Sequence, residues 1–210
     1  MFLFQDGDVL VTYGSGGVWP PRRWVLWVVY RGIRAFQRAK WGSGADAGPT
    51  HVRVWLGGQF FEMTTPVGKW TTRDEVILDK KDWKVARFRG AIGNLPAMQQ
   101  KAGAMVGLKY DIGDLLDFGL SGLVGRFAGW LRIFGDRERK YTVCSTALAK
   151  VLRAGGVPFR VSRDDVRRDA GVAVLFRDGA DPIDLIDSAI DPAFFVNNPT
   201  QWEVVGQSSR

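Results

Sequence analysis

The chain has 210 residues, of which 46% are hydrophobic and 24% are charged, a composition that excludes wholesale disorder and favours one globular domain. Its single cysteine excludes an internal disulfide, and 29 Lys and Arg against 22 Asp and Glu give a net charge of +7. This charge favours anionic partners such as nucleic acid, a membrane surface or a cell-wall polymer, although a solvated basic surface also explains it. The sequence contains no zinc-ligand spacing, Walker-type loop or aromatic RNA-binding signature. We therefore expect no metal or other cofactor, and only the net charge would favour nucleic acid as a partner.

The start of the chain does not resemble a secretory signal. No basic segment precedes its apolar residues, and Gln5, Asp6 and Asp8 interrupt them. The longest purely apolar run is the seven residues Trp24–Tyr30, whereas a membrane-spanning helix needs about 20. We therefore expect a protein of the cytoplasm, or one that is delivered within a larger assembly such as a phage virion.

The first predicted strand ends at Tyr13, because Val9–Tyr13 is apolar and β-branched and follows a Gly-Asp turn. Residues 14–49 are predicted to form an insertion. Arg22–Lys40, the centre of that insertion, mixes Trp and Arg in a pattern typical of a helix. Such a helix either packs on its own domain through its arginine stems or lies on an anionic surface.

A β-hairpin is the strongest local signal in the sequence. Two strand-like segments, His51–Leu56 and Gln59–Thr64, are joined by Gly57-Gly58, a pair typical of a two-residue turn. That turn places Leu56 opposite Gln59 and continues pair by pair to His51 opposite Thr64.

This register predicts that His51 and Glu62 are diagonal neighbours on one face, within side-chain reach. A carboxylate there can hold one imidazole nitrogen and leave the other free as a base. Glu62 also lies directly opposite Arg53, so an ordinary cross-strand ion pair is an alternative that does not exclude the first.

The remainder of the chain is predicted to mix strands and helices. The predicted strands are Val76–Leu78, Trp83–Phe88 and Trp202–Val205. One helix is capped by Asn94 and ends before Gly107, and a second spans Thr142–Ala154 and ends at Gly155-Gly156. Between these two helices, residues 111–140 are predicted to form a second insertion.

The lone cysteine lies at the start of the second of these helices. If Thr142 is the N-cap, Cys144 falls in the first turn, where free N–H groups and the helix dipole favour a thiolate. The same N–H groups can receive the oxyanion of a tetrahedral intermediate. The alternative is that Cys144 is a small buried hydrophobic residue.

Several segments follow one another along the chain in a recognisable order: Gly7–Leu10, Thr50–Gly58, Phe61–Met63, Gly107–Asp111, Tyr141–Ser145, and Pro182–Leu185 with Ser188. Taken together and in this order, they resemble the circularly permuted branch of the NlpC/P60 superfamily, which includes the YiiX-like proteins and is related to the lecithin-retinol acyltransferase-like enzymes.

The resemblance implies a single α+β domain over residues 1–210 with a papain-like fold. An antiparallel sheet would pack against the cysteine-bearing helix, and the histidine strand would precede that helix in the chain. By resemblance, Cys144 is the nucleophile, His51 is the base and Glu62 orients the base.

The expected function is that of a thiol protease or amidase, which cleaves an amide bond through a thioester, for example in peptidoglycan. The resemblance also permits a lipid acyl hydrolase or acyltransferase. A third hypothesis is a non-catalytic structural or binding component, for example of a phage particle, with a protein assembly partner.

Overall fold

The computed structural model describes residues 2–13, 31, 34–35, 37–38, 41–42, 44–46, 48–64, 66–77, 82–110, 141–142, 144–161, 183–185 and 190–208. The strands are β1 (Val9–Tyr13), β2 (Pro49–Leu56), β3 (Gln59–Met63), β4 (Gly68–Thr71), β5 (Trp83–Phe88), β6 (Lys109–Tyr110), β7 (Tyr141–Thr142), β8 (Arg160–Val161), β9 (Ile183–Asp184) and β10 (Trp202–Gln207). The helices with defined bounds are α1 (Arg73–Ile77), α2 (Leu95–Gly103), α3 (Cys144–Ala154) and α4 (Phe194–Asn197).

Six of these strands form one sheet in the order β10-β5-β1-β2-β3-β4. Every neighbouring pair in it is antiparallel. Two short pairs lie outside this sheet: β6 and β7 are parallel, whereas β8 and β9 are antiparallel. The fold is therefore α+β with a mainly antiparallel sheet, as the sequence predicts.

The hairpin of β2 and β3 has the predicted turn. Gly57 and Gly58 both have positive φ, at 57° and 90°, and a two-residue hairpin turn with two positive φ angles favours glycine at both positions. The ladder runs from Leu56–Gln59 to Arg53–Glu62 in the predicted register. The predicted pairs Val52–Met63 and His51–Thr64 lie beyond the end of that ladder.

Helix α3 packs against β2, β3 and α2 on one face of the sheet. Alternate residues of β2 (Val52, Val54 and Leu56) are buried, as the period of a half-buried strand requires. The helix ends at the predicted glycines. Gly156 has φ 83°, and Val157 N–H donates to the Leu152 carbonyl at 3.1 Å, which satisfies an otherwise free carbonyl at the helix end.

A smaller apolar cluster covers the other face of the sheet. Leu10, Phe60, Val76 and Val85 are buried there, packed against partly buried aromatic residues that include Phe4. The sheet is therefore covered on both faces near β1 and β3, which fixes the register of these strands.

The predicted strand Val76–Leu78 is wrong, because Val76 lies within α1 (Arg73–Ile77). The helix is favoured by a capping box. The Thr72 N–H donates to Glu75 Oε2 at 2.7 Å, and the Glu75 N–H donates to Thr72 Oγ1 at 3.4 Å. Thr followed three residues later by Glu is the signature of this cap, so the sequence held a signal for the helix.

Three other predicted elements agree with the structure. Strand β5 has the predicted bounds, and β10 extends to Gln207, two residues beyond the prediction. Helix α2 is capped by Asn94, whose Oδ1 accepts from the Ala97 N–H at 3.0 Å, and it ends at Gly103.

Several predictions concern residues outside the described ranges. The predicted helix Arg22–Lys40 has helical backbone at 31, 34–35 and 37–38, and the rest of it, like most of the predicted insertion 14–49, is not among the described residues. The predicted insertion 111–140 and Ser188 also lie outside. Within the described part of the chain, none of the helices has the length and hydropathy needed to cross a bilayer.

Candidate active site

The hairpin brings His51 and Glu62 into contact. Because they are diagonal neighbours on the same face of β2 and β3, their side chains reach one another, and His51 Nε2 lies 2.9 Å from Glu62 Oε2. The ionised carboxylate is an acceptor only, so Nε2 carries the proton of this hydrogen bond. The remaining ring nitrogen, Nδ1, is then free to accept a proton.

Glu62 also contacts two cationic side chains. Arg53 Nε donates to the same oxygen, Oε2, at 2.6 Å, and Lys69 Nζ lies 3.6 Å from the other oxygen, Oε1. Glu62 therefore forms both the cross-strand ion pair with Arg53 and the contact with His51. These are the two interactions that the sequence suggests and that do not exclude each other.

These contacts keep Glu62 ionised although its side chain is only 4% exposed. Burial raises the pKa of the carboxyl, but the hydrogen bond and charge of His51 and the charge of Arg53 outweigh it, and the pKa falls to about 2. A buried carboxylate is stable only with such partners. Glu62 is thus negatively charged at any pH near neutrality.

Cys144 is the first residue of α3, so Thr142 lies one residue before the N-cap position that the sequence predicts for it. Thr142 lies in β7, where it pairs with Tyr110 of β6. The pairing of β6 with β7 therefore ends two residues before the first residue of the helix. Cys144 still lies in the first turn, where backbone N–H groups have no partner within the helix.

Three groups are hydrogen-bonded to the sulfur of Cys144: the imidazole of His51, the backbone N–H of Val52 and the hydroxyl of Tyr110. The Val52 N–H is available because the β2–β3 ladder ends one residue away, at Arg53–Glu62. The start of α3 therefore contacts β2 at the point where its ladder with β3 has ended.

The pKa values of Cys144 and His51 move in opposite directions. Burial raises the pKa of the thiol, but the hydrogen bond and charge of His51 outweigh it and the net pKa is lowered. Burial lowers the pKa of His51, but its hydrogen bonds to Cys144 and Glu62 reverse this and the net pKa is raised. Both changes favour the thiolate–imidazolium pair over the neutral pair.

The structure therefore brings together Cys144, His51 and Glu62, the three residues that the sequence singled out. Sequence reasoning missed the contact of Tyr110 with the sulfur, although Tyr110 lies in one of the segments that carry the family resemblance. The contact depends on the pairing of β6 with β7. These two strands have 30 residues between them in the chain, and no local pattern connects them.

A comparison with solved structures finds a similar fold in the crystal structure of the metalloprotein YiiX from Escherichia coli O157:H7 (DUF1105). The two chains align with a TM-score of 0.50 over 97% of each, at 14% sequence identity. No family model and no curated protein matches the chain. At this identity the similarity concerns the fold alone.

YiiX is described as a metalloprotein, which raises the question of a metal site in the present chain. In the part of the chain that the structure describes, there is no group of three or more His, Cys, Asp or Glu side chains that could hold a metal ion.

Proposed function

We propose that the protein is a cysteine hydrolase that cleaves an amide bond, built on a single papain-like domain of circularly permuted NlpC/P60 order. Cys144 is the nucleophile, His51 is the general base and acid, and Glu62 orients His51. The observation that carries this proposal is the hydrogen-bonded series from Cys144 through His51 to Glu62. The similar fold of YiiX supports the papain-like assignment.

In the proposed mechanism, His51 takes the proton of Cys144 and the thiolate attacks the amide carbonyl carbon. The carbonyl oxygen becomes an oxyanion that accepts a hydrogen bond from the backbone N–H of Cys144 at the start of α3. His51 then gives its proton to the leaving amine, and a thioester remains on Cys144. Water, deprotonated by His51, attacks the thioester and releases the carboxylic acid and the free thiol.

Each contact in the site serves one of these steps. Glu62 holds Nε2 and so directs Nδ1 of His51 towards the sulfur. The low pKa of Glu62 keeps that carboxylate charged, which stabilises the imidazolium that forms. The Val52 N–H and the Tyr110 hydroxyl stabilise the thiolate before it attacks.

For the substrate we propose a peptide amide of the kind found in cell-wall polymers. The net charge of +7 suits an anionic polymer and equally an anionic membrane surface. A lipid acyl hydrolase or an acyltransferase would use the same three residues, with a lipid ester as the acyl donor.

One observation favours a non-catalytic alternative, in which the domain is a structural or binding component of a larger assembly. Cys144 is only 5% exposed, and buried cysteines are commonly inert. The contact with His51 argues against this alternative, because an inert cysteine has no need of an oriented imidazole.

The experiment that tests the proposal incubates the protein with purified peptidoglycan and, separately, with phospholipid vesicles, and analyses both by mass spectrometry. We expect new amine and carboxyl termini in the peptidoglycan, and no products with Cys144→Ala or His51→Ala. The control is Glu203→Gln on β10, an exposed position 3.7 Å from Arg89, which should retain full activity.

The outcomes separate the three functions. Cleavage of the vesicle lipids alone would assign the site to lipid acyl groups. Cleavage that survives in the Cys144→Ala protein would refute the mechanism, and the absence of any product from either substrate would favour the non-catalytic component.

A further inference from the structure

Two donors converge on a single oxygen of Glu62. His51 Nε2 lies 2.9 Å from Oε2, and Arg53 Nε lies 2.6 Å from the same atom. The side chains of Arg53 and Glu62 are 11% and 4% exposed, so water screens this contact weakly. Arg53 is two residues from His51 on the same face of β2, and the strand therefore fixes the two side chains next to each other.

Sharing this oxygen has a definite electrostatic consequence. The negative charge of Glu62 stabilises protonated His51, but Arg53 neutralises part of that charge where the imidazole binds. Arg53 is also a cation beside the imidazolium and repels it. Both effects favour release of the His51 proton, whereas Glu62 alone would favour its retention.

We infer that Arg53 is a positioning residue, which limits how strongly Glu62 holds the proton on His51 and so sets the proton balance between His51 and Cys144. The meaning of this balance for turnover rests on the proposed function, because a general base must also return its proton to the leaving group. The electrostatic effect itself does not depend on turnover.

The other charged and titratable groups of the described residues are consistent with this role. Cys144 at the start of α3 and Glu62 on β3 favour protonated His51, whereas burial and the charge of Arg53 oppose it. Tyr110 on β6 acts on the sulfur of Cys144. Lys69 on β4 reaches only Oε1 of Glu62, at 3.6 Å, and its side chain is 52% exposed, so its effect on His51 is screened by water.

The effect can be measured directly because the chain has one histidine. The Hε1 proton of His51 therefore gives the only histidine signal in an NMR titration, and no assignment is needed. The titration compares the wild type with Arg53→Met, which removes the charge, and with Arg53→Lys, which keeps it. In the folded Arg53→Met protein we expect His51 to titrate about one pH unit higher, and in Arg53→Lys close to the wild type.

The matched control is Arg87→Met. Arg87 also forms an arginine–carboxylate pair in this sheet, with Nε and Nη2 each donating to Asp8 at 2.8 Å, but β5 and β2 are separated by β1. This variant loses a comparable structural ion pair and should leave the titration of His51 unchanged. If Arg53 had a purely structural role, its substitution would likewise lower the stability of the protein and leave the titration of His51 unchanged.

If Arg53→Met does not fold, Arg53→Gln replaces it, because a neutral amide can still donate to Glu62. An unchanged His51 titration in a folded, uncharged Arg53 variant would overturn the inference. The titration is recorded without substrate, so an upward shift in a protein that cleaves nothing would support the inference while the proposed function fails.

Discussion

Replacing Glu62 with Gln removes the charge of a carboxylate that is nearly excluded from solvent and held by His51 and Arg53. The pKa of Glu62 falls from 4.5 in its ordinary environment to about 2 in the folded protein. Each unit of pKa corresponds to about 1.4 kcal/mol, so ionisation of Glu62 stabilises the fold by about 3 kcal/mol at neutral pH.

The sign of the pH dependence follows from the lowered pKa. The unfolded chain binds a proton at Glu62 near pH 4.5, whereas the folded protein resists it until about pH 2. The stabilisation is therefore fully present above about pH 5 and is lost as the pH falls towards 2. By about pH 3, more than half of it has been lost.

Urea denaturation followed by tryptophan fluorescence, at several pH values from 7 to 3, measures this dependence. We expect Glu62→Gln to be less stable than the wild type by about 3 kcal/mol at pH 7, with the difference shrinking by more than half at pH 3. Glu203→Gln, at an exposed ion pair, should change stability by less than about 1 kcal/mol. A difference between wild type and Glu62→Gln that stays constant from pH 7 to pH 3 would show that the charge of Glu62 is not the source of the stability.

Three further substitutions test other contacts. Tyr110→Phe removes a hydrogen bond to the thiolate of Cys144 and should slow alkylation by iodoacetamide at pH 6 about tenfold. An unchanged alkylation rate would mean that the Tyr110 hydroxyl does not act on the sulfur. Asn94→Ala removes the cap of α2 and should lower the free energy of unfolding by about 1 kcal/mol, without changing the rate of alkylation of Cys144. A slower alkylation would contradict the view that this cap does not affect the site. Gly155→Ala would place a Cβ 2.3 Å from Met98 Sδ and should lower the free energy of unfolding by about 1–3 kcal/mol. An unchanged free energy of unfolding would show that the Met98 side chain makes room for the methyl group without cost.

The sequence predicts the hairpin, and with it the contact of His51 with Glu62, because both depend on local rules. The two positive-φ glycines determine the turn, the turn determines the register, and the alternation of the strands determines which side chains share a face. The start of α3 at Cys144 is also close to the prediction. These features need no knowledge of distant parts of the chain.

The contact of Cys144 with His51 cannot be predicted from local rules, because none of them connects residues so far apart in the chain. The family resemblance implies the contact of Cys144 with His51, but its physical cause lies in tertiary structure. The ladder between β2 and β3 ends at Arg53–Glu62, and beyond that end the Val52 N–H is hydrogen-bonded to the sulfur. The contribution of Tyr110 depends in the same way on the pairing of β6 with β7. The missed helix α1 is a different case, since its capping box was present in the sequence.

The most direct test of the account is the pH dependence of alkylation of Cys144 by iodoacetamide, compared between the wild type and His51→Ala. Cys144 is the only thiol in the chain, so the rate reports on this residue alone. The account predicts that the wild type reacts at pH 6 and that His51→Ala reacts at least about tenfold more slowly there, with its inflection moved to higher pH. Superimposable rate profiles for the two proteins would contradict the thiolate–imidazolium pair on which the proposed function depends.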